Sequence, residues 1–232
     1  MNVLIACEES QAVCKAFRAR GHRAFSCDLY ECSGGHPEWH INGDALAVID
    51  GNCNFTTQDG KEHEQRGQWD ILIAHPPCTY LTVTGNRWFN VERYGATAIK
   101  RIKDRDEAAE FFMEFINARC ERVAVENPVG YMGTYYRPAD QTIQPWMFGD
   151  PYEKQTCLWL KNLPPLRPSK IVKPPERVVF DSGKTMARWY AESLKLPAEE
   201  RAKLRSKTYP GIAEAMADQW TKTYDIQTQL EL

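Results

Sequence analysis

Two absences narrow the class of protein before any motif is considered. The sequence has no apolar run long enough to cross a membrane, and its apolar start at 1–6 is followed closely by Glu8 and Glu9. We therefore expect neither a secretory signal nor a membrane span. Eight cysteines without such a signal indicate reduced thiols rather than a disulfide framework, and hence a cytoplasmic protein.

The chain also lacks a strong net charge, since the formal value of −2 argues against a wholly basic nucleic-acid binder. This average hides an asymmetry. Residues 1–153 carry 15 Lys and Arg against 22 Asp and Glu, whereas 154–207 carry 13 against 5. A basic segment beside an acidic body suits an edge that binds a polyanion. The alternative is a solvated lysine-rich loop.

Short apolar runs and helical spacings alternate along the chain, which predicts an α/β fold with a parallel sheet. Strands are predicted at 2–6, 22–27, 69–74, 122–125 and 155–160. Helices are predicted at 10–20, 105–119, 182–194, 197–206 and 212–224. The polar segment 51–67 is predicted to be a surface loop.

Two motifs follow predicted strands. Pro76, Pro77 and Cys78 follow the strand at 69–74, and Glu126 with Asn127 follows the strand at 122–125. Because the carboxyl ends of parallel strands meet at one edge of a sheet, the thiol and the carboxylate can face each other there. A thiol nucleophile facing an acid suits covalent chemistry on an electron-poor ring.

The turn after the first strand contains no glycine, so the dinucleotide-binding fingerprint is absent. Glu8 and Glu9 at a helix start would repel a pyrophosphate and suit a cationic or zwitterionic ligand. Asp28 ends the second strand, where an acid holds ribose hydroxyls in such folds. These features fit S-adenosylmethionine. The alternative is that both glutamates only cap a helix.

In this order, the motifs resemble those of a DNA cytosine-5 methyltransferase of the short type found in phages and prophages. Pro77-Cys78 matches the family's nucleophile motif, and Glu126-Asn127 matches its Glu-Asn-Val motif with Pro128 in place of the valine. The resemblance implies a Rossmann-like S-adenosylmethionine-dependent methyltransferase fold, with a mostly parallel central sheet flanked by helices, in a bacterial or phage-infected cell.

The resemblance also implies a domain plan and a cofactor site. Residues 1–160 and 208–232 would form the catalytic domain, and 161–207 a reduced basic insert in place of a target-recognition domain. Asp28 would bind the ribose, and Asp44 the adenine amino group. The full set of implied cofactor residues is Ala6, Cys7, Glu8, Ser10, Asp28, Leu29, Asp44 and Pro76.

The same resemblance implies roles in catalysis. Cys78 would add to carbon 6 of cytosine and make carbon 5 nucleophilic. Glu126 would bind ring nitrogen 3 and the amino group and hold a proton there, which requires burial to raise the pKa of its carboxyl group. Asn127 would orient the nucleophile loop through backbone contacts. Pro76 and Pro77 would fix the approach of the thiol.

DNA is the implied partner, and its target base would be flipped out or already single-stranded. Trp88 follows the nucleophile and is predicted either to close over the base or to pack in an ordinary way. We expect phosphates to be bound by basic residues of the segment after the last predicted strand: Lys161, Arg167, Lys170, Lys173 and Arg177.

Three alternatives remain open at this stage. Cys27, Cys32, His36 and His40 have a spacing that resembles a zinc site, but the loose loop between them favours no metal. The substrate of the thiol chemistry could be a free pyrimidine nucleotide, which needs no recognition domain. The chain could also be an inactive binding or decoy protein that retains the fold.

Overall fold

The computed structural model describes residues 1–181, 183–197, 200–201 and 208–230, with side chains up to Lys222 in the last segment. Within these residues the strands are β1 (Asn2–Ala6), β2 (Arg23–Asp28), β3 (His40–Asn42), β4 (Cys53–Thr56), β5 (Glu62–Gln65), β6 (Ile71–Ala74), β7 (Val123–Pro128), β8 (Gln141–Ile143), β9 (Thr156–Lys161), β10 (Arg177–Val179) and β11 (Thr185–Ala187). The α-helices are α1 (Ala12–Arg18), α2 (Val91–Asn117), α3 (Met132–Tyr135), α4 (Arg188–Ser193) and α5 (Pro210–Leu230).

Seven strands form one central sheet in the order β3-β2-β1-β6-β7-β9-β8. Its first five strands are parallel neighbours, and β9 runs antiparallel to both β7 and β8. The predicted Rossmann-like fold, mostly parallel and flanked by helices, is confirmed. The carboxyl ends of β1, β2, β6 and β7 therefore share one edge of the sheet, here called the carboxyl edge.

Each face of the sheet is buried against helices. On one face Ile73 shares a fully buried cluster with Phe17 of α1 and Trp220 of α5. On the other face Leu72 packs with Phe112 of α2. Alternating residues of one strand thus enter opposite cores, which explains its continuous apolar sequence. None of the described helices is both long and apolar enough to cross a bilayer.

The segment 51–67, predicted to be a loop, is instead the antiparallel β4–β5 hairpin. Its outer positions are exposed, and mainly Phe55 and Gln65 are buried. The Phe55 ring meets that of Phe25 edge-on, with centroids 4.9 Å apart. Cys53, Phe55, His63 and Gln65 alternate with exposed residues, but two of these four are polar. No hydrophobic period is therefore visible in the sequence, and the prediction was wrong.

Other boundaries differ from the predictions. Helix α2 begins well before the predicted 105 and breaks at Gly95, whose φ is +50°. The predicted helix at 182–194 is only α4, since β11 precedes it. Most of the predicted helix at 197–206 lies outside the described residues. The three-residue strands β3 and β8 are too short to give a pattern.

Candidate active site

The nucleophile loop leaves β6 at the carboxyl edge and turns at Cys78. The carbonyl oxygen of Cys78 accepts hydrogen bonds from the backbone N–H groups of Leu81 and Thr82, both at 3.1 Å. All eight cysteines are described, and Cys78 alone among them is exposed. A planar ring can therefore reach this thiol from solvent.

A buried side chain ties this loop to the neighbouring strand. Asn127, only 1% exposed near the end of β7, donates from Nδ2 to the carbonyl oxygen of Pro76 at 2.8 Å. The predicted backbone contact of Asn127 is thus present. It fixes the loop two residues before the nucleophile.

The next residues of both segments also pair through their backbones. Tyr131 donates from its N–H to the Leu81 carbonyl at 2.7 Å, and Val83 donates to the Val129 carbonyl at 3.2 Å. A Cβ atom on Gly130 would lie 1.9 Å from the Leu81 oxygen. The close approach of the two segments therefore requires glycine at position 130.

Glu126 lies beside His75 because each follows one residue of the register pair Ala74 and Val125. The His75 Nδ1 is 3.3 Å from the Glu126 Oε2, and their side chains are only 9% and 15% exposed. This imidazole contact was missed in the sequence, although a histidine between a strand and a proline pair was visible.

The electrostatic surroundings of Glu126 correct one prediction. Burial raises the pKa of the Glu126 carboxyl group, as expected. The hydrogen bond from His75, the charge of Lys154 and the hydrogen bond from Thr156 together outweigh burial and lower this pKa below its ordinary value. Glu126 is therefore an ionised acceptor at neutral pH, not a proton store.

A narrow cavity adjoins this pair on the α5 side of the sheet. Its described lining residues include His75, Glu126, Lys154, Thr156 and Tyr209, and Cys78 is not among them. The buried Nε2 of His75 has no hydrogen-bond partner among the described residues. The cavity thus borders the carboxylate and the imidazole of this pair.

The turn after β1 contains no glycine, yet two of its residues have the positive φ that glycine usually provides. Cys7 has φ +58° and Gln11 has φ +57°, both in the left-handed region. Such a conformation costs a non-glycine residue roughly 1–3 kcal/mol. Buried Gln11 offsets this cost with hydrogen bonds to backbone atoms of His36 at 2.8 and 3.0 Å.

Glu8 is buried at the carboxyl edge and bonds the start of α1. Its Oε1 accepts a hydrogen bond from the Val13 N–H at 2.6 Å, and its Oε2 accepts one from the Cys14 N–H at 3.2 Å. Burial raises the pKa of Glu8 to about 7. The predicted cofactor contact of Glu8 is therefore corrected, and the alternative, that it caps a helix, is the structure's arrangement.

Other predicted cofactor residues do come together. Burial and the nearby charges of Asp28, Cys27 and Asp44 raise the pKa of the Cys7 thiol, so these groups are neighbours. Leu29 is 74% exposed directly after Asp28. Carboxylates beside an exposed apolar side chain fit a ribose and an adenine ring. Ala6, Ser10 and Pro76 lie at the same edge, at the ends of β1 and β6.

Of the predicted phosphate-binding residues, Lys161 lies away from this edge and Arg177 is paired. Lys161 pairs with the first residue of β7 and donates from Nζ to the Ala118 carbonyl at 3.1 Å, at the opposite edge of the sheet. Arg177 forms an ion pair with Glu153. The remaining three are exposed: Arg167, Lys170 and Lys173.

The residues of the zinc-like pattern have other partners. The buried imidazole of His40 lies 2.9 Å from both the Ser26 hydroxyl and the Tyr30 carbonyl. Cys27 is buried within the core. Among the described residues no group of three or more His, Cys, Asp or Glu side chains could hold a metal ion.

Two functional candidates were not recognised in the sequence. Arg101 and Arg105 are four residues apart on α2, and Arg101 Nη2 donates to the carbonyl oxygen of Thr79 at 3.2 Å. Thr79 follows the nucleophile directly. The spacing was visible, but only the fold places these arginines beside Cys78.

Comparisons with known proteins find similarity among solved structures. No protein-family model and no curated protein matches the chain. Among solved structures, the chain is similar to a candidate DNA modification methyltransferase encoded within a prophage of E. coli. The identity is 13% and the TM-score 0.41, over 85% of this chain and 56% of the other. The chain thus spans little more than half the length of that protein.

Proposed function

We propose that this chain is an S-adenosylmethionine-dependent methyltransferase that modifies carbon 5 of cytosine in DNA through Cys78. The observation that carries the proposal is the hydrogen bond from Asn127 Nδ2 to the carbonyl oxygen of Pro76, at 2.8 Å. It fixes an exposed thiol to the strand that bears an ionised, buried carboxylate. Covalent catalysis on a ring needs both groups on neighbouring, rigid supports.

In this mechanism the Cys78 thiolate forms a bond to carbon 6, and the electrons of the 5,6 double bond become available at carbon 5. S-adenosylmethionine, when bound, would supply the electrophilic methyl group for carbon 5, and its sulfur would keep the electron pair of the broken bond as S-adenosylhomocysteine. Loss of the carbon 5 proton restores the double bond as the Cys78 sulfur leaves. The exposed loop position of Cys78 admits the ring face that this addition requires.

Glu126 acts in this proposal as an anion. Its carboxylate accepts a hydrogen bond from the exocyclic amino group and stabilises positive charge at nitrogen 3. This role differs from the proton-holding role implied by the resemblance, because the pKa of Glu126 lies below its ordinary value. The proton at nitrogen 3 then comes from water, which reaches the exposed loop at Cys78 and takes the proton back when the sulfur leaves.

The residues of the carboxyl edge fit the proposed cofactor. Asp28 and Asp44 would bind the ribose and the adenine amino group, and Leu29 would pack against the adenine. The exposure of Leu29, at 74%, supports this assignment because a ligand would bury it. The turn at Ala6, Cys7 and Ser10 would contact the amino-acid end.

A free pyrimidine nucleotide is the second candidate substrate. It is favoured by the position of Lys161 at the opposite edge of the sheet and by the ion pair of Arg177 with Glu153. Lys161 is therefore not placed to hold a DNA strand at Cys78, and the charge of Arg177 is already paired. The thiol chemistry would be the same.

The test offers labelled S-adenosylmethionine with DNA and with dCMP side by side. We expect transfer to DNA by the wild type, and none by Cys78→Ser. Cys53→Ser on the β4–β5 hairpin is the matched control and should remain active. DNA containing 5-fluorocytosine should form a covalent adduct only when Cys78 is present. Full activity of Cys78→Ser would disprove the mechanism, and transfer to dCMP alone would establish the second candidate.

Absence of both transfer and any thermal shift with the cofactor would instead indicate the inactive binding protein. Binding of S-adenosylmethionine by Cys78→Ser, measured as a shift in melting temperature, separates loss of chemistry from loss of folding.

A further inference from the structure

Two arginines of α2 lie directly behind the nucleophile loop. Arg101 and Arg105 are one helical turn apart and share a face. The Arg101 guanidinium donates to the carbonyl of Thr79, the residue after Cys78, at 3.2 Å. Arg101 is thus attached to the loop that carries the thiol, and Arg105 lies one turn further along the helix.

Aromatic rings hold both guanidinium groups in place. The Arg101 guanidinium carbon lies 4.9 Å from the ring centre of Tyr80 and 5.1 Å from that of Phe89. Arg105 lies 4.3 Å from the Phe89 ring and 4.2 Å from the Tyr131 ring. Rings orient a guanidinium without neutralising its charge. The pair is therefore rigid and still cationic.

No carboxylate in the described part of the chain forms an ion pair with these two arginines. Asp104, between them in sequence, is bound at 2.7 and 2.9 Å by Lys100 instead. The Nε atoms of both arginines are buried without a described hydrogen-bond partner. Arg177 differs from both, because its guanidinium forms an ion pair with Glu153.

We propose that Arg101 and Arg105 bind the phosphate group adjacent to the pyrimidine that Cys78 attacks. The inference rests on the proposed function, because that function places the pyrimidine at Cys78. A guanidinium fork matches a phosphate through paired hydrogen bonds, and two forks one turn apart match one group. The phosphate can belong to a DNA strand or to a free nucleotide. This site replaces the predicted phosphate contact of Lys161.

Binding, rather than turnover, tests the site. Cofactor-free protein is titrated with a short single-stranded oligodeoxynucleotide containing one cytosine, with dCMP and with deoxycytidine. We expect R101Q/R105Q to weaken binding of the oligonucleotide by at least about tenfold and to reduce the salt slope of its log affinity by about 0.7, the value for one phosphate on a single strand. Deoxycytidine, which has no phosphate, should bind equally to both proteins.

The matched control is K100Q/K103Q, which removes the same charge from the same helix. Its two lysines are paired with Asp104 and Glu107, so we expect less than about a threefold change. Gly85→Ala is a second variant that keeps both arginines. Its Cβ atom would lie 2.8 Å from Arg101 Nη2 and displace that group, so phosphate-dependent binding should also weaken.

The outcomes separate the ligand sources and the two proposals. Weakening with the oligonucleotide alone supports a DNA phosphodiester, and weakening with dCMP alone supports a nucleotide. Folded R101Q/R105Q and Gly85→Ala proteins that bind both probes like the wild type would overturn the site. A wild type that binds neither probe would also overturn it. Arginine-dependent binding without methyl transfer to any substrate would support the site and refute the proposed function.

Discussion

The His75 imidazole and the Glu126 carboxylate meet at 3.3 Å where two parallel strands leave the sheet. Strand register creates this contact, because each residue follows one member of a paired position. The contact helps to reverse the effect of burial on the pKa of Glu126. Histidine at position 75 is therefore an expected determinant of how the carboxylate ionises.

Replacing His75 by alanine should raise the pKa of Glu126. The hydrogen bond that favours the anion is lost, while burial, which favours the neutral acid, remains. If the anion is the active form, the acid limb of the kcat/KM profile should move to higher pH. Steady-state methyl transfer between pH 3.5 and pH 8 measures it, because the wild-type limb lies below the ordinary pKa of a glutamate.

His36→Ala is the control for this experiment. His36 and Glu38 form a similar pair, with Nδ1 3.0 Å from Oε1, outside the candidate site. Its profile should match that of the wild type. An unchanged acid limb in His75→Ala would show that this contact does not control the reaction.

Gly130→Ala should separate the nucleophile loop from the end of β7. The added carbon would lie 1.9 Å from the Leu81 oxygen and 2.8 Å from the Leu81 carbonyl carbon, so backbone must move. We expect methyl transfer to fall by at least about 100-fold, since small displacements of a catalytic group have effects of this size. Binding of S-adenosylmethionine should persist, because its residues follow other strands.

The comparison variant is Gly133→Ala, where no atom lies within 4 Å of the new carbon. Both variants are assayed for transfer and for cofactor binding by calorimetry. Equal activity of the two variants would contradict the positioning role of the close contact between Gly130 and Leu81.

The sequence contained enough information to predict the parallel sheet and the two strand ends. Strand β6 is an uninterrupted apolar run and β7 begins with one, and prolines follow both runs, so Cys78 and Glu126 were found directly. The distances between the residues of the site were not predictable, because they depend on which strand residues pair with each other. Asn127 and Pro76 are 51 positions apart, and only the register brings them together.

The wrong placement of Lys161 has one physical cause. Composition assigned positive charge to a segment, but β9 runs antiparallel to β7. Its first residue, Thr156, therefore lies beside the candidate site, and its last, Lys161, lies at the far edge. The direction of a strand cannot be obtained from charge. The arginines of α2 were missed for a different reason, because basic and acidic residues are balanced along that helix.

Asn127→Ala should destabilise the folded protein and reduce transfer. Loss of the amide leaves the Pro76 carbonyl without this donor, at a cost of about 1–3 kcal/mol. Urea unfolding should show a lower midpoint with an unchanged m value. Asn54→Ala, at an exposed position of β4, should have little effect. Wild-type stability in Asn127→Ala would mean that the bond at 2.8 Å contributes nothing net.

Glu8 should make stability depend on pH in an unusual direction. Burial raises its pKa from 4.5 to about 7 in the folded protein, so between these values the folded state holds a proton that the unfolded chain releases. The free energy of unfolding from this group therefore decreases as pH rises from about 4.5 to about 7, by up to about 1.4 kcal/mol per pH unit. Below that window the contribution is constant.

Glu8→Gln cannot titrate and should remove this dependence. Urea unfolding at pH 5 and pH 7.5 would give a smaller difference between the two conditions for Glu8→Gln than for the wild type. Glu9→Gln changes the same charge one residue further along, outside the two hydrogen bonds to α1, and should retain the wild-type difference. The same pH dependence in all three proteins would contradict the assignment, and would place the controlling proton on another buried group.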